Sequence, residues 1–145
     1  MLGFAAGALA AFFVEQPVIW LLHHLGLTSR DAWSMVETLP MGVHAWWSRV
    51  FWGCAWGIAL AWFGTRYPLG AHHLGMTTLF AAGVRTIADW FVVPMFYNMA
   101  WAGWRVDGLI TPVIANFTWG IATAVLVAAF SLAAGTWGAK SIALR

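Results

Sequence analysis

The stretch "AAGVRTIADWFVVP", residues 81–94, places Arg85 and Asp89 inside an otherwise apolar run. A charge at the centre of a bilayer costs about 2.5–3.5 kcal/mol on insertion scales. Either this run never meets lipid, or its charges face protein. Composition decides the first alternative. The chain has 145 residues, 62% hydrophobic and 8% charged, whereas a soluble domain is about a quarter charged. Too few polar groups are present to cover a water-exposed surface, so the sequence reads as an all-α integral membrane protein. A formal charge of +2 gives no sign of a nucleic-acid partner. The lipid bilayer is the expected one.

Four apolar spans are expected, at about 2–26, 43–64, 70–98 and 109–135, forming a single four-helix transmembrane domain. Each covers a ~30 Å hydrocarbon core at ~1.5 Å rise per residue. The connection "TRYPL", residues 65–69, is short enough to make the second and third spans antiparallel neighbours. The opening "MLGFAAGALAAFF", residues 1–13, has the small-residue look of a signal peptide, but no Lys or Arg precedes its apolar part. A retained first helix is therefore expected. Between spans one and two, "LTSRDAWSMVETL", residues 27–39, sets Thr28 and Asp31 at capping-box spacing and Trp33, Val36 and Leu39 at three-residue steps. That pattern predicts a short interfacial helix.

Orientation follows from the basic residues. Arg66, Lys140 and Arg145 stand on one side without an acid, and Arg30 and Arg105 face Asp31, Glu37 and Asp107 on the other. Positive-inside logic puts both termini in the cytoplasm. The opposite face is also aromatic, with Trp33, Trp46, Trp47, Trp101 and Trp104 near span ends, as interfacial anchors are.

Deep within the spans stand the charged and amide residues Glu15, Gln16, Arg49, Arg85, Asp89 and Asn116. Glu15 and Arg85 each lie ~20 Å from the inner end of their span at ~1.5 Å per residue, near the midplane. Arg49, Asp89 and Asn116 share the outer half. One connected network is expected, with Glu15 meeting Arg85 and Asp89 meeting Arg49, while Gln16 and Asn116 fill the remaining donors and acceptors. Two acids and two bases make it formally neutral. A structural network, a polar cavity that binds or passes a solute, and a subunit interface all remain open.

Small residues at four-residue spacing, Gly3 with Gly7, Gly53 with Gly57 and Gly120 with Ala124, predict close helix contacts, within the chain or with a partner. Trp52, Trp56 and Trp119 lie too deep for an interfacial belt and are expected in the core. Pro17 and Pro94 each remove a helical hydrogen bond beside the polar residues, so kinks are expected there. "FAAG" recurs at Phe4–Gly7 and Phe80–Gly83 ahead of these prolines, which suggests two tandem helical hairpins. Cys54 is expected to be a packed thiol. His23 and His24 end span one, and His72 and His73 begin span three at the opposite face. Only His23, His24 and His44 could approach each other, as a haem or metal site would require. The expectation is no cofactor, neither metal, haem nor quinone.

The stretches Glu15–Gln16, "LPMGV" at residues 39–43, "FWGCAWG" at 51–57 and "NFTWG" at 116–120 carry a resemblance. The chain resembles a group of small bacterial inner-membrane proteins with a polar pair ending in Gln in the first helix and a Pro-Gly-Val-type entry to the second. That group also has a "FWGGLWG"-like second helix and an N-x-x-WG fourth helix. Histidine is usual in the group where Glu15 stands, and glycine where Cys54 stands. The group has no established activity, so the resemblance implies a multi-pass bacterial inner-membrane protein and no mechanism. No nucleophile–base pair, phosphate loop or metal motif is present. The expected function is that of a non-catalytic accessory or structural subunit of a larger membrane complex, an energy-transducing one among the candidates. The alternatives are a small channel or transporter with a midplane charged site, and a haem- or quinone-associated redox subunit.

Overall fold

The structure, a computed structural model, describes residues 1–38, 42–96 and 105–135. It is mostly helical. Helices α1 (Leu2–His24), α3 (Ala71–Met95) and α4 (Val106–Ala133) are each long and apolar enough to cross a membrane. Helix α2 (Ala45–Gly64) has the length of a span. Its five tryptophans, with Ser48 and Arg49, make it less apolar than the other three.

The segment after α1 corrects the expected interfacial helix. Gly26 adopts φ +69°, and the N–H groups of Gly26 and Leu27 return to the carbonyls of His23 and Leu22 at 2.9 Å. This pair of bonds satisfies the last carbonyls of α1 and stops it. The chain then runs irregularly to a minimal hairpin of β1 (Glu37–Thr38) and β2 (Val43–His44), paired antiparallel. Thr28 spends its hydroxyl on the Arg30 N–H (3.2 Å), a local turn that competes with helix. Trp33 takes a left-handed φ of 49°, which a helix cannot contain. Val43 consequently belongs to the hairpin and α2 starts two residues later. Leu39, Pro40 and Met41 of the expected entry motif lie outside the described residues. So do Tyr97 and Asn98 at the end of the third span, Trp101, Trp104, Lys140 and Arg145.

The helices alternate in direction, giving a hairpin end and a turn end. Helix α1 packs along α2 and α4, and α3 packs on α4; α3 meets α2 chiefly through its first part, Ala71–Phe80. The α1–α2 contact is a glycine seam. A Cβ at Gly3 or Gly7 would strike the carbonyl of Gly57 or Gly53, and one at Gly57 would strike that of Gly3. The seam is thus internal to the chain, with the backbones in direct contact. Gly120 repeats the device between α4 and α3, where an added Cβ would lie 2.5 Å from that of Ala81. Ala10, Ala11, Leu60, Ala81, Trp119 and Ala124 form the apolar core between the seams. Trp119 is fully enclosed and Trp56 packs partly against that core. Trp52, expected there too, is exposed, because the Gly53 face of α2 turns toward α1 and carries its neighbour outward.

Both prolines are preceded by a widened, π-type turn. In α1 it covers Ala11–Glu15, and the Gln16 N–H reaches back five residues to Ala11. In α3 it covers Ala88–Val92, and the Val93 N–H reaches Ala88. Each turn ends two residues before its proline, Pro17 or Pro94. The insertion relieves the clash that a proline ring makes with the carbonyl four residues earlier. A third such turn, Ala81–Arg85, has no proline to explain it.

Candidate functional site

Residues Glu15, Arg85 and Asp89 all sit in these π-type turns. Such turns are rare and recur at functional sites, because an inserted residue rotates the following side chains off the regular helical face. Here the rotation brings Glu15 and Arg85 together. Arg85 Nη2 donates to both carboxylate oxygens of Glu15, at 3.1 and 2.9 Å. The side chains are 5% and 6% exposed. The guanidinium carbon also lies 4.2 Å from the centre of the Trp119 ring, within range of a cation–π attraction worth about 2 kcal/mol when desolvated. Among the described residues this is the buried ion pair.

The second expected pair does not form. Asp89 Oδ2 accepts from Asn116 Nδ2 at 2.8 Å, and the same amide nitrogen donates to Thr86 Oγ1 at 3.0 Å. Arg49 Nη1 instead donates to Gln16 Oε1 (3.4 Å) and to the Asp31 carbonyl (3.1 Å). The cause is helix placement. Beyond Phe80, α3 follows α4 rather than α2, so Asp89 faces Asn116 while Arg49 faces α1 and the loop. Arg49 still lies in the electrostatic field of both Glu15 and Asp89.

Gln16 is the junction between helices and loop. It is fully buried, and Oε1 also accepts the Trp33 backbone N–H at 2.9 Å. Its neighbour Ala32 packs on Ile19 and Ala115, so the loop seats one small side chain between α1 and α4. At its other edge Ser29 Oγ donates to Asp107 Oδ2 at 2.8 Å, and Asp107 in turn accepts from Arg105 Nε at 3.1 Å. Sequence reasoning named these six polar residues and missed the two backbone groups, Asp31 O and Trp33 N, that complete the bonding of Arg49 and Gln16. Backbone groups carry no sequence signal. It also missed Thr86, whose position next to Arg85 was the available hint.

The histidines do not converge. His24 Nδ1 lies 2.9 Å from the Trp20 carbonyl oxygen and His44 Nδ1 lies 2.6 Å from that of Met35. His73 is buried at the turn end, 3.2 Å from the Gly64 carbonyl oxygen. Among the described residues no three His, Cys, Asp or Glu are grouped to hold a metal ion. Two shallow apolar grooves run along the outside. One, of about 440 Å³, lies between α1 and α4 over Leu9, Phe13, Ala122 and Val125. The other, of about 410 Å³, lies between α3 and α4 over Leu74, Gly75, Phe117 and Ile121.

No family model matches this chain, and neither a curated protein nor a solved structure was found to be similar to it. Its chemistry is therefore read from its own geometry. That geometry offers two carboxylates and two guanidiniums within the helices, one pair closed and two charges held by neutral partners.

Proposed function

We propose that this chain is a four-span, non-catalytic protein of the bacterial inner membrane, with both termini cytoplasmic and the hairpin end outside. In this reading it serves as an accessory or structural subunit of a larger membrane complex. The Glu15–Arg85 pair carries the proposal. Its charges cancel inside the helices and sit against Trp119, an arrangement suited to fixing which helices pair. The exposed side chains Phe13, Trp62, Leu79, Ile87 and Leu132 require lipid or another protein around them, and the apolar grooves between helices fit either. The resemblance to small bacterial inner-membrane proteins points the same way. Purification from native membranes in mild detergent tests the proposal. Stoichiometric co-purification of other membrane subunits is expected, and a lone, monodisperse monomer contradicts it.

A second reading, a small channel or transporter with Glu15, Arg85 and Asp89 as its midplane site, is favoured by one observation: among the described residues Arg49 and Asp89 each lack a direct countercharge. In that case both would belong to a solute path. Flux through proteoliposomes that survives Glu15→Gln and Arg85→Leu unchanged removes this reading.

A further inference from the structure

The hydrogen bonds among the described residues leave buried side-chain atoms without a partner, among them the hydroxyls of Thr78, Thr111 and Thr123, which can donate or accept, and three nitrogens. Gln16 Nε2, Arg85 Nη1 and Trp90 Nε1 are buried nitrogens without a hydrogen-bond partner among the described residues. All three are donors. Gln16 is fully buried and Arg85 is 4% exposed, so bulk solvent does not serve them. A buried donor left unpaired costs about 1–3 kcal/mol. What completes this region must therefore be an acceptor.

Charge decides which acceptor. Glu15 and Asp89 balance Arg49 and Arg85, so an added anion would leave a net negative charge in low-dielectric surroundings. A neutral molecule is required. It must accept from the orphan donors and donate to the spare lone pairs of the two carboxylates, since an acceptor alone would leave its own side of the network incomplete. Water meets both conditions and needs only two to four such partners.

The walls are unequal. Toward the turn end the pair is backed by Leu60, Ala81, Trp119 and Ala124, each at most 1% exposed. Beyond them Phe63 and Phe80 stack at 4.6 Å. Toward the hairpin end, Arg49 donates both to Gln16 Oε1 and to the carbonyl of the exposed loop residue Asp31, and Arg49 and Asp89 are both partly exposed. We infer that water occupies the space beside Arg85 Nη1 and Gln16 Nε2 and enters from the hairpin end alone, giving the Glu15–Arg85 pair one-sided aqueous access. The pair can then exchange protons with one compartment and not the other. This holds whether the protein works alone or within a complex.

Cysteine accessibility in proteoliposomes tests the inference. On a Cys54→Ser background, Gln16→Cys and Asp89→Cys are exposed to a membrane-impermeant cationic thiosulfonate from each side. Arg105→Cys and Arg66→Cys report the hairpin and turn ends. Thiosulfonates attack the thiolate, which needs water. Labelling of both test positions from the hairpin side is expected on the order of tenfold or more faster than that of Leu60→Cys. No labelling above the Leu60→Cys level is expected from the turn side. Equal labelling from both sides, or none beside a reactive Arg105→Cys, overturns the inference. Where a variant fails to fold, the unsubstituted protein labelled with ¹⁵N-arginine replaces it. Solid-state magnetisation transfer from water to the Arg85 side-chain nitrogens, assigned by their loss in Arg85→Lys, is expected. Absence of that transfer, or a shift of the same signals when chloride is replaced by nitrate, overturns hydration by a neutral ligand.

Discussion

The indole nitrogen of Trp119 donates to the carbonyl oxygen of Gly7 at 3.1 Å, across 112 residues of chain. That carbonyl is reachable because Gly7 has no side chain and its helix lies against α2 at the glycine seam. One tryptophan therefore ties α4 to α1 while its ring face receives Arg85 from α3.

Replacing Trp119 by Phe keeps most of the apolar volume and removes the N–H. The lost hydrogen bond and the weaker cation–π contact predict a loss of about 1–2 kcal/mol. Reversible unfolding in detergent measures it. Unchanged stability would mean that the indole bond contributes nothing.

The glycines divide into two kinds. Gly7 faces the backbone of α2, so Gly7→Ala must push the helices apart, at an expected cost of about 1–3 kcal/mol. At Gly75 an added Cβ meets nothing within 4 Å. Gly75→Ala is therefore expected to be neutral, or to stabilise by up to about 1 kcal/mol through helix propensity. Thermal melting of the two variants side by side checks the contrast; equal effects would contradict the internal seam.

For the ion pair, removing one partner strands a buried charge. Glu15→Gln and Arg85→Met are each expected to cost about 3–5 kcal/mol, and the double variant much less than their sum. A double-mutant cycle on unfolding free energies decides the matter. Additive losses would show that the two groups do not support each other.

Gln16 holds the loop through the Trp33 N–H and through Arg49. In Gln16→Leu the one oxygen that accepts both bonds vanishes, so the segment around Arg30, which is exposed, should open more often. Trypsin cleavage after Arg30 is expected to rise roughly tenfold, as a loss of about 1.4 kcal/mol in local opening free energy implies. An unaltered cleavage rate would place the loop's stability elsewhere, in Ala32 or the Ser29–Asp107 bond.

Much of this architecture was legible in the residues. Apolar runs separated by Gly, Pro and Arg marked the helices, because burying polar backbone in lipid leaves few alternatives. The opposite charges of Glu15 and Arg85 at matching depth identified their pairing. The interfacial helix failed because capping residues also make turns, and Thr28 did so. The Asp89–Arg49 pair failed because equal depth does not establish which helices are neighbours.

By itself, then, the sequence determined helices of spanning length, glycine faces, prolines at fixed places and four charges within the spans that sum to zero. The tertiary structure alone decided the partners of Asp89 and Arg49 and the turn through which Arg85 reaches Glu15. A π-type turn without a proline, at Ala81–Arg85, rotates Arg85 toward Glu15, and the attachment of α3 to α4 rather than α2 hands Asp89 to Asn116. Both outcomes depend on how helices lean on one another, a sum of many small contacts that no single residue encodes.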